Sequence, residues 1–200
     1  MKRLFLIGAA AVALTGIAAT SAGAVVTTGV INITGHVPAQ CSVITAGTPP
    51  SGDFGNSVNL GNLADANGHL LSALAGSTNS LGTQSFQVSC TGAGNQITLK
   101  ATPLATNPVV AAPAGYANTI NYTAEADYSV VGGTSPVVQS HTSDSSTSTT
   151  SFDSGVRLAN TAGNIVIKAY SFNTSNTATD ILVASTNYAA TITVTIDPGA

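Results

Sequence analysis

Glu125 and Asp127 are a close pair of carboxylates on a strand-like run, and being two residues apart they share one face of it. Two carboxyl groups flanking a bond are what general acid–base cleavage of a glycoside requires. The same face carries Asn121, Thr123 and Ser129, however, so a solvated polar face is the simpler account. The three histidines, His36, His69 and His141, fall in turn-like or strand-edge contexts and read as surface residues. Asp65-Ala66-Asn67-Gly68 opens like a calcium loop, but Leu70 and Leu71 take later ligand positions and no Glu closes it, so it reads as a turn. No nucleophile elbow, zinc-protease helix, phosphate loop or dinucleotide fingerprint occurs. The expectation is a protein without catalysis, cofactor or metal.

Cys41 and Cys90 are the two cysteines. Their chemistry depends on the compartment, and the N-terminus speaks to that. Lys2 and Arg3 precede an apolar run from Leu4 to Ala19, and Ala22-Gly23-Ala24 fits a signal-peptidase site. Residues 1–24 are therefore expected to be a cleaved signal peptide, the alternative being an uncleaved anchor; the run is short for a spanning helix. In an oxidising compartment one disulfide is the default, with two buried free thiols as the alternative. Two cysteines without paired C-x-x-C spacing do not make a zinc site. Without the signal, three basic residues (Lys100, Arg157, Lys168) face eight acidic ones, a net of about −5. So sparse a positive charge argues against nucleic-acid binding, and no other stretch is apolar enough to insert stably in a membrane.

The elements that must position these residues read as β throughout. Residues 25–36 are β-branched and extended, with Val25, Thr27, Gly29, Ile31 and Ile33 on one face. They are either an ordinary first strand or a free N-terminal arm that pairs elsewhere. Val37, Ala39, Cys41 and Val43 alternate into a second short strand. Residues 47–82 are turn-rich, tucked onto the core by Leu60, Leu63, Leu70, Leu71 and Leu74, with a possible helical turn at 70–74. Gln84–Cys90 reads as one strand, Ile97-Leu99-Ala101 as its partner, and 103–113 as a loop. Thr119–Val131 is a long strand with Ile120, Tyr122, Ala124, Ala126, Tyr128 and Val130 on its apolar face. The Ser/Thr/Asp tract 140–154 reads as a solvated loop, and 164–172 and 180–184 as further strands. Last comes Tyr188–Ile196, with Tyr188, Ala190, Ile192, Val194 and Ile196 on one face, followed by Asp-Pro-Gly-Ala. About seven or eight strands and no long helix point to an all-β sandwich. Its final strand is left with no later strand to pair with.

The order of these features resembles the spore coat protein U family, the major subunits of archaic chaperone–usher pili. A signal and an N-terminal β-arm come first, then a cysteine in the first strand of the body. A Phe-x-Val-x-Cys strand (86–90), an Ile-Asn-Tyr-Thr-x-x-x-Asp strand (120–127) and a terminal Tyr-x-x-Thr-Ile-Thr-Val-Thr-Ile (188–196) follow. The resemblance implies an immunoglobulin-like sandwich, incomplete because its last strand is missing, over residues 37–200. It further implies a periplasmic chaperone that caps the subunit and an outer-membrane usher that exports it. The arm, residues 25–36, would act as a donor strand for neighbouring copies. Tyr188, Ile192, Val194 and Ile196 would form one wall of the acceptor groove, with Cys41 and Cys90 as the staple. Localisation would be the periplasm in transit and then the cell surface, in a fimbrium supporting adhesion or biofilm formation. The alternative is a secreted sandwich that closes its own groove and binds a surface ligand or carbohydrate through loops such as 104–116; the absence of Trp argues against sugar stacking.

Overall fold

The computed structural model describes residues 29–133, 135–143, 147–151, 156–177 and 179–199, with the backbone alone described for 147–151. The expected signal peptide, and Val25 and Thr27 of the arm, lie outside these residues. The chain divides into two units, 1–35 and 36–200. In the first, residues 29–35 belong to no ladder, and Val30, Ile31 and Ile33 are 79, 88 and 91 % exposed. An extended, β-branched segment becomes a strand only when an edge takes its backbone hydrogen bonds, so the described part of the expected arm strand stays irregular.

The second unit is all-β, its strands curling around one core. The first elements are β1 (Cys41–Val43), a single helical turn α1 (Ser72–Ala75), β2 (Gln84–Phe86), β3 (Val88–Cys90), β4 (Gln96–Ala101) and β5 (Leu104–Thr106). β6 (Tyr116–Ala117), β7 (Thr119–Tyr128), β8 (Val137–His141), β9 (Thr147–Ser151) and β10 (Ile165–Asn173) follow, then β11 (Ile181–Leu182), β12 (Tyr188–Ala189) and β13 (Ile192–Asp197). β7 is central. On one edge it pairs antiparallel with β10 and on the other with β5 and β8, while β2 extends the sheet beyond β10. The alternation that marks β7 in the sequence puts Ile120, Tyr122, Ala124, Ala126 and Tyr128 at 4 % exposure or less. They meet Ile97 and Leu99 of β4 and Ile165 and Ala169 of β10 in the core.

β4 and β5 are one run of chain that changes sheet. Beyond Ala101 the chain passes Pro103, whose missing N–H suits a place where the ladder is interrupted, and resumes against β7. β13 and β12 follow the same bend on its other side: Ile192 opposes Ala101, and Ala189 opposes Ala105. Between those pairs the β4–β5 side carries one residue more, a bulge. The expected terminal strand 188–196 is thus two pieces about one bend, and Ala190, expected on the apolar face, is exposed there.

Other expectations are corrected in the same way. Gln84–Cys90 breaks at Gln87, because β2 pairs with β10 while β3 turns away to pair with β1; neither pairs with the expected partner Ile97-Leu99-Ala101, which as β4 lies between β13 and β9. The second strand shrinks to Cys41–Val43, and Val37 is exposed. Residues 103–113 contain β5. The polar tract is the largest change: Ser140 and Thr142 are buried, and β9 pairs with β4 across five residues. Ser and Thr satisfy a β ladder as well as Val does when a neighbouring edge demands pairing. Ser140 Oγ accepts a hydrogen bond from the Ala101 N–H at 3.3 Å, and Thr142 Oγ1 one from the Tyr122 N–H at 2.8 Å. The long connection is irregular as expected, with Leu70 and Leu74 buried beside α1.

Two buried asparagines stand in for backbone. Asn164 Oδ1 accepts from the Val88 N–H at 2.8 Å, and its Nδ2 donates to the carbonyls of Val88 at 2.7 Å and Ala159 at 2.6 Å. Asn95 Nδ2 donates to the Pro198 carbonyl at 2.7 Å, which pins the tail of β13 onto the turn before β4. Gly92 completes that turn, since a Cβ there would collide with the Pro198 carbonyl oxygen. Asn164→Ala leaves the N–H and the carbonyl of buried Val88 without this partner, at about 1–3 kcal/mol each before relaxation, while the Ala159 carbonyl keeps the Thr161 N–H at 2.9 Å. A loss of about 2 kcal/mol or more is expected in urea unfolding with the disulfide intact; a loss under 1 kcal/mol would refute this role.

Candidate functional site

The site is the free edge of β13. The Thr102 N–H donates to the Thr191 carbonyl at 2.9 Å, and the Thr191 N–H to Thr102 Oγ1 at 2.8 Å. With that pair facing β4, antiparallel alternation gives Thr193, Thr195 and Asp197 the bonds to β4. It turns the N–H and C=O groups of Ile192, Val194 and Ile196 to the opposite edge. Among the described residues no strand pairs with that edge. The side chains of the same three residues are half-buried and pack on the core, while Thr193, Thr195 and Asp197 are exposed. Three backbone pairs and three apolar side chains therefore face one empty lane.

Beside that lane runs a trough made of two adjoining cavities, of about 1200 and 380 Å³, which share Asp53, Phe54 and Val194. The larger follows β12 and β13 from Asn187 to Val194. Its floor includes Leu104, Tyr122, Ile167 and Phe172, and residues 53–64 form the wall opposite β13. The smaller continues past Ile196 to Pro198, with Cys41, Val43 and Val88 lining it. Tyr122 stacks on Phe172, ring centroids 5.1 Å apart, and its buried hydroxyl has no hydrogen-bond partner. Burial pushes that hydroxyl's pKa up to about 12. At the other end Tyr188 donates from its hydroxyl to the Val183 carbonyl at 2.8 Å, fixing the bend of β12.

The sequence-derived site residues are distributed as follows. Tyr188, Ile192, Val194 and Ile196 line the trough together. Gly29, Ile31 and Ile33 lie in the exposed first unit. Cys41 and Cys90 form a disulfide, opposite each other in the β1–β3 ladder. Sequence reasoning missed the floor and far wall of the trough. Phe54 is the main omission; it packs on Phe86 with centroids 4.8 Å apart. Its signal was present, an aromatic in a turn-rich polar stretch, where a large apolar residue needs something to cover it.

Glu125 and Asp127 lie together on the outer face of β7, and Lys168 of β10 pairs with both, its Nζ 3.1 Å from Glu125 Oε1 and in contact with Asp127. Gln139 Nε2 and the Tyr170 hydroxyl both donate to Glu125 Oε2, each at 2.7 Å. Both oxygens of Glu125 are thus occupied by fixed donors, an arrangement that holds three strands in register. Burial alone raises the Glu125 pKa, but the hydrogen bonds from Gln139, Tyr170 and Lys168 and the lysine's charge outweigh it and hold the carboxyl below its ordinary value. Hydrogen bonds to Asp127 and Glu125 raise Lys168. Burial, and then the bond to Glu125, push Tyr170 up to about 12.

The signs fix a pH dependence. A depressed carboxylate adds stability above its unfolded pKa, which is lost as pH falls through the folded value. The raised tyrosines add stability below their unfolded value of 10.0, lost as pH climbs toward about 12. An alkaline limb between those values and a shallow acid limb are expected, and Glu125→Gln should flatten the acid one. Superimposable stability–pH curves for wild type and variant would contradict the network.

Comparison of the chain with protein-family models, with curated proteins and with solved structures found no match. The trough and its open edge are therefore read from their own geometry. What they can do chemically is bind an extended peptide: unpaired strand groups supply a ladder, and the apolar floor takes alternate side chains.

Proposed function

We propose that this chain is a structural, non-catalytic subunit of a bacterial surface fibre of the spore coat protein U type. Its body would be an immunoglobulin-like sandwich lacking one strand, and residues 25–36 of a neighbouring copy would supply that strand. A periplasmic chaperone and an outer-membrane usher would handle the subunit on its way to the surface, where the fibre would serve adhesion or biofilm formation. The observation that carries this reading is the edge of β13, unpaired among the described residues, beside a trough with an apolar floor, in a chain that also exposes Val30, Ile31 and Ile33. Each Ile or Val side chain of the arm seated in the trough would contribute about 1.5–3 kcal/mol, besides the ladder bonds.

Direction favours a neighbour's arm over the chain's own. The first strand of the body begins at Cys41, at the Pro198 end of the trough. An arm folding back from there would run parallel to β13. Antiparallel pairing has the straighter bonds and is more stable per residue, and it requires an arm that enters from another molecule. The test is a synthetic peptide of residues 25–36 added to subunits lacking their own arm. Saturable binding with a rise in melting temperature is expected, abolished by Val194→Asp. Absence of binding to the unsubstituted groove sinks the proposal.

A further inference from the structure

We infer that the loop at the Asn187 end of the trough, residues 107–117, is a docking surface for the body of a second copy of this chain, the copy whose arm fills the trough. The inference rests on the reading above and deepens it. The loop is held firmly. Asn107 N–H donates to the Asn187 carbonyl at 2.9 Å, Val110 N–H to Thr106 Oγ1 at 2.9 Å, Asn118 Nδ2 to the Val110 carbonyl at 2.5 Å, and Val183 N–H to the Ala117 carbonyl at 2.8 Å. Yet Val109 is 80 % exposed, and Val110 and Tyr116 are exposed beside it. A loop fixed in place while presenting apolar side chains to water is pre-organised for a contact, because little conformational freedom is lost when it binds.

The partner follows from the direction of the arm. Entering antiparallel to β13, an arm starts at the Pro198 end and leaves at the Asn187 end, so the body attached to it arrives at residues 107–117. The end of the body from which the arm departs is apolar as well: Val37, Val131 and Val137 are exposed there. Hydrogen bonds tie that end together, from Thr91 N–H to the Gln40 carbonyl at 2.9 Å, Gly94 N–H to Val156 at 3.1 Å and Val131 N–H to Arg157 at 2.9 Å. The other described large exposed apolar side chains are Val30, Ile31 and Ile33 of the arm and Val58 of the trough wall. Two apolar ends of one body, brought face to face by the strand that joins two copies, make a heterologous head-to-tail contact.

The experiment uses the full chain carrying Val109→Asp and Val110→Asp, with Val109→Ser and Val110→Ser as a milder pair should the first fold poorly. Fibre length is measured by electron microscopy at equal protein concentration. Binding of the 25–36 peptide is measured in arm-deleted subunits with and without the same substitutions. The expected result is peptide affinity within about twofold of the unsubstituted subunit and fibres several-fold shorter. Fibres of unchanged length from a folded variant overturn the docking surface and leave the trough reading intact. Failure of the peptide to bind unsubstituted subunits overturns the trough reading, and this inference with it.

Discussion

A chain lacking residues 25–35 is expected to fold, form its Cys41–Cys90 disulfide and remain a monomer at concentrations where the full chain polymerises. The core explains the first part. Among the described residues no ladder includes 29–35, and the buried apolar cluster draws on residues from Val43 onward. The open edge explains the second, because a lane of unpaired N–H and C=O groups recruits a strand only if one is offered. The shortened subunit should therefore expose its trough permanently, bind a hydrophobic dye more strongly than the fibre does, and be capped by added 25–36 peptide. Size-exclusion chromatography and negative-stain microscopy read the outcome; fibres from the truncated chain would end the donor-strand account.

The second large effect concerns Cys41 and Cys90. Replacing both with Ala removes a link that closes a loop of 49 residues, and chain entropy sets its contribution at about 4 kcal/mol. The loss should be felt locally as well as globally. Apart from the disulfide, β1 is held by a three-residue ladder to β3 and by a bridge from Val43 to Ser51, and it lines the smaller cavity. The doubly substituted chain should unfold at a markedly lower urea concentration and bind the 25–36 peptide more weakly. Equal unfolding midpoints for the oxidised and the substituted protein would show that the ladder alone suffices.

How far the sequence reveals this depends on whether a strand's own pattern or its neighbour's edge decides its fate. β4 and β7 are legible, because Ile97, Leu99, Ile120 and Ala124 alternate as a half-buried strand must, and all four are fully buried. So is the wall formed by Ile192, Val194 and Ile196. β9 is not: Thr147–Ser151 has no apolar alternation, and its strand character comes from the exposed edge of β4. The break at Gln87 is hidden for a similar reason, since Phe86, Val88 and Cys90 keep one alternation while the chain changes partners. The trough floor is the least legible part. Leu104, Tyr122, Ile167 and Phe172 come from β5, β7 and β10, and it is the pairing of these three strands side by side in one sheet, which no single strand's pattern reveals, that brings them together.

The disulfide also has a mechanical consequence. Tension applied through the N-terminal segment reaches the body at Cys41, and the covalent bridge hands it to Cys90, at the end of β3. Residues 42–89, with α1, β2 and the wall that contains Phe54, lie outside that line of force. A pull on the oxidised molecule is therefore carried by the Cys41–Cys90 staple and the strands after it, and one whole side of the trough stays slack until a sulfur bond breaks.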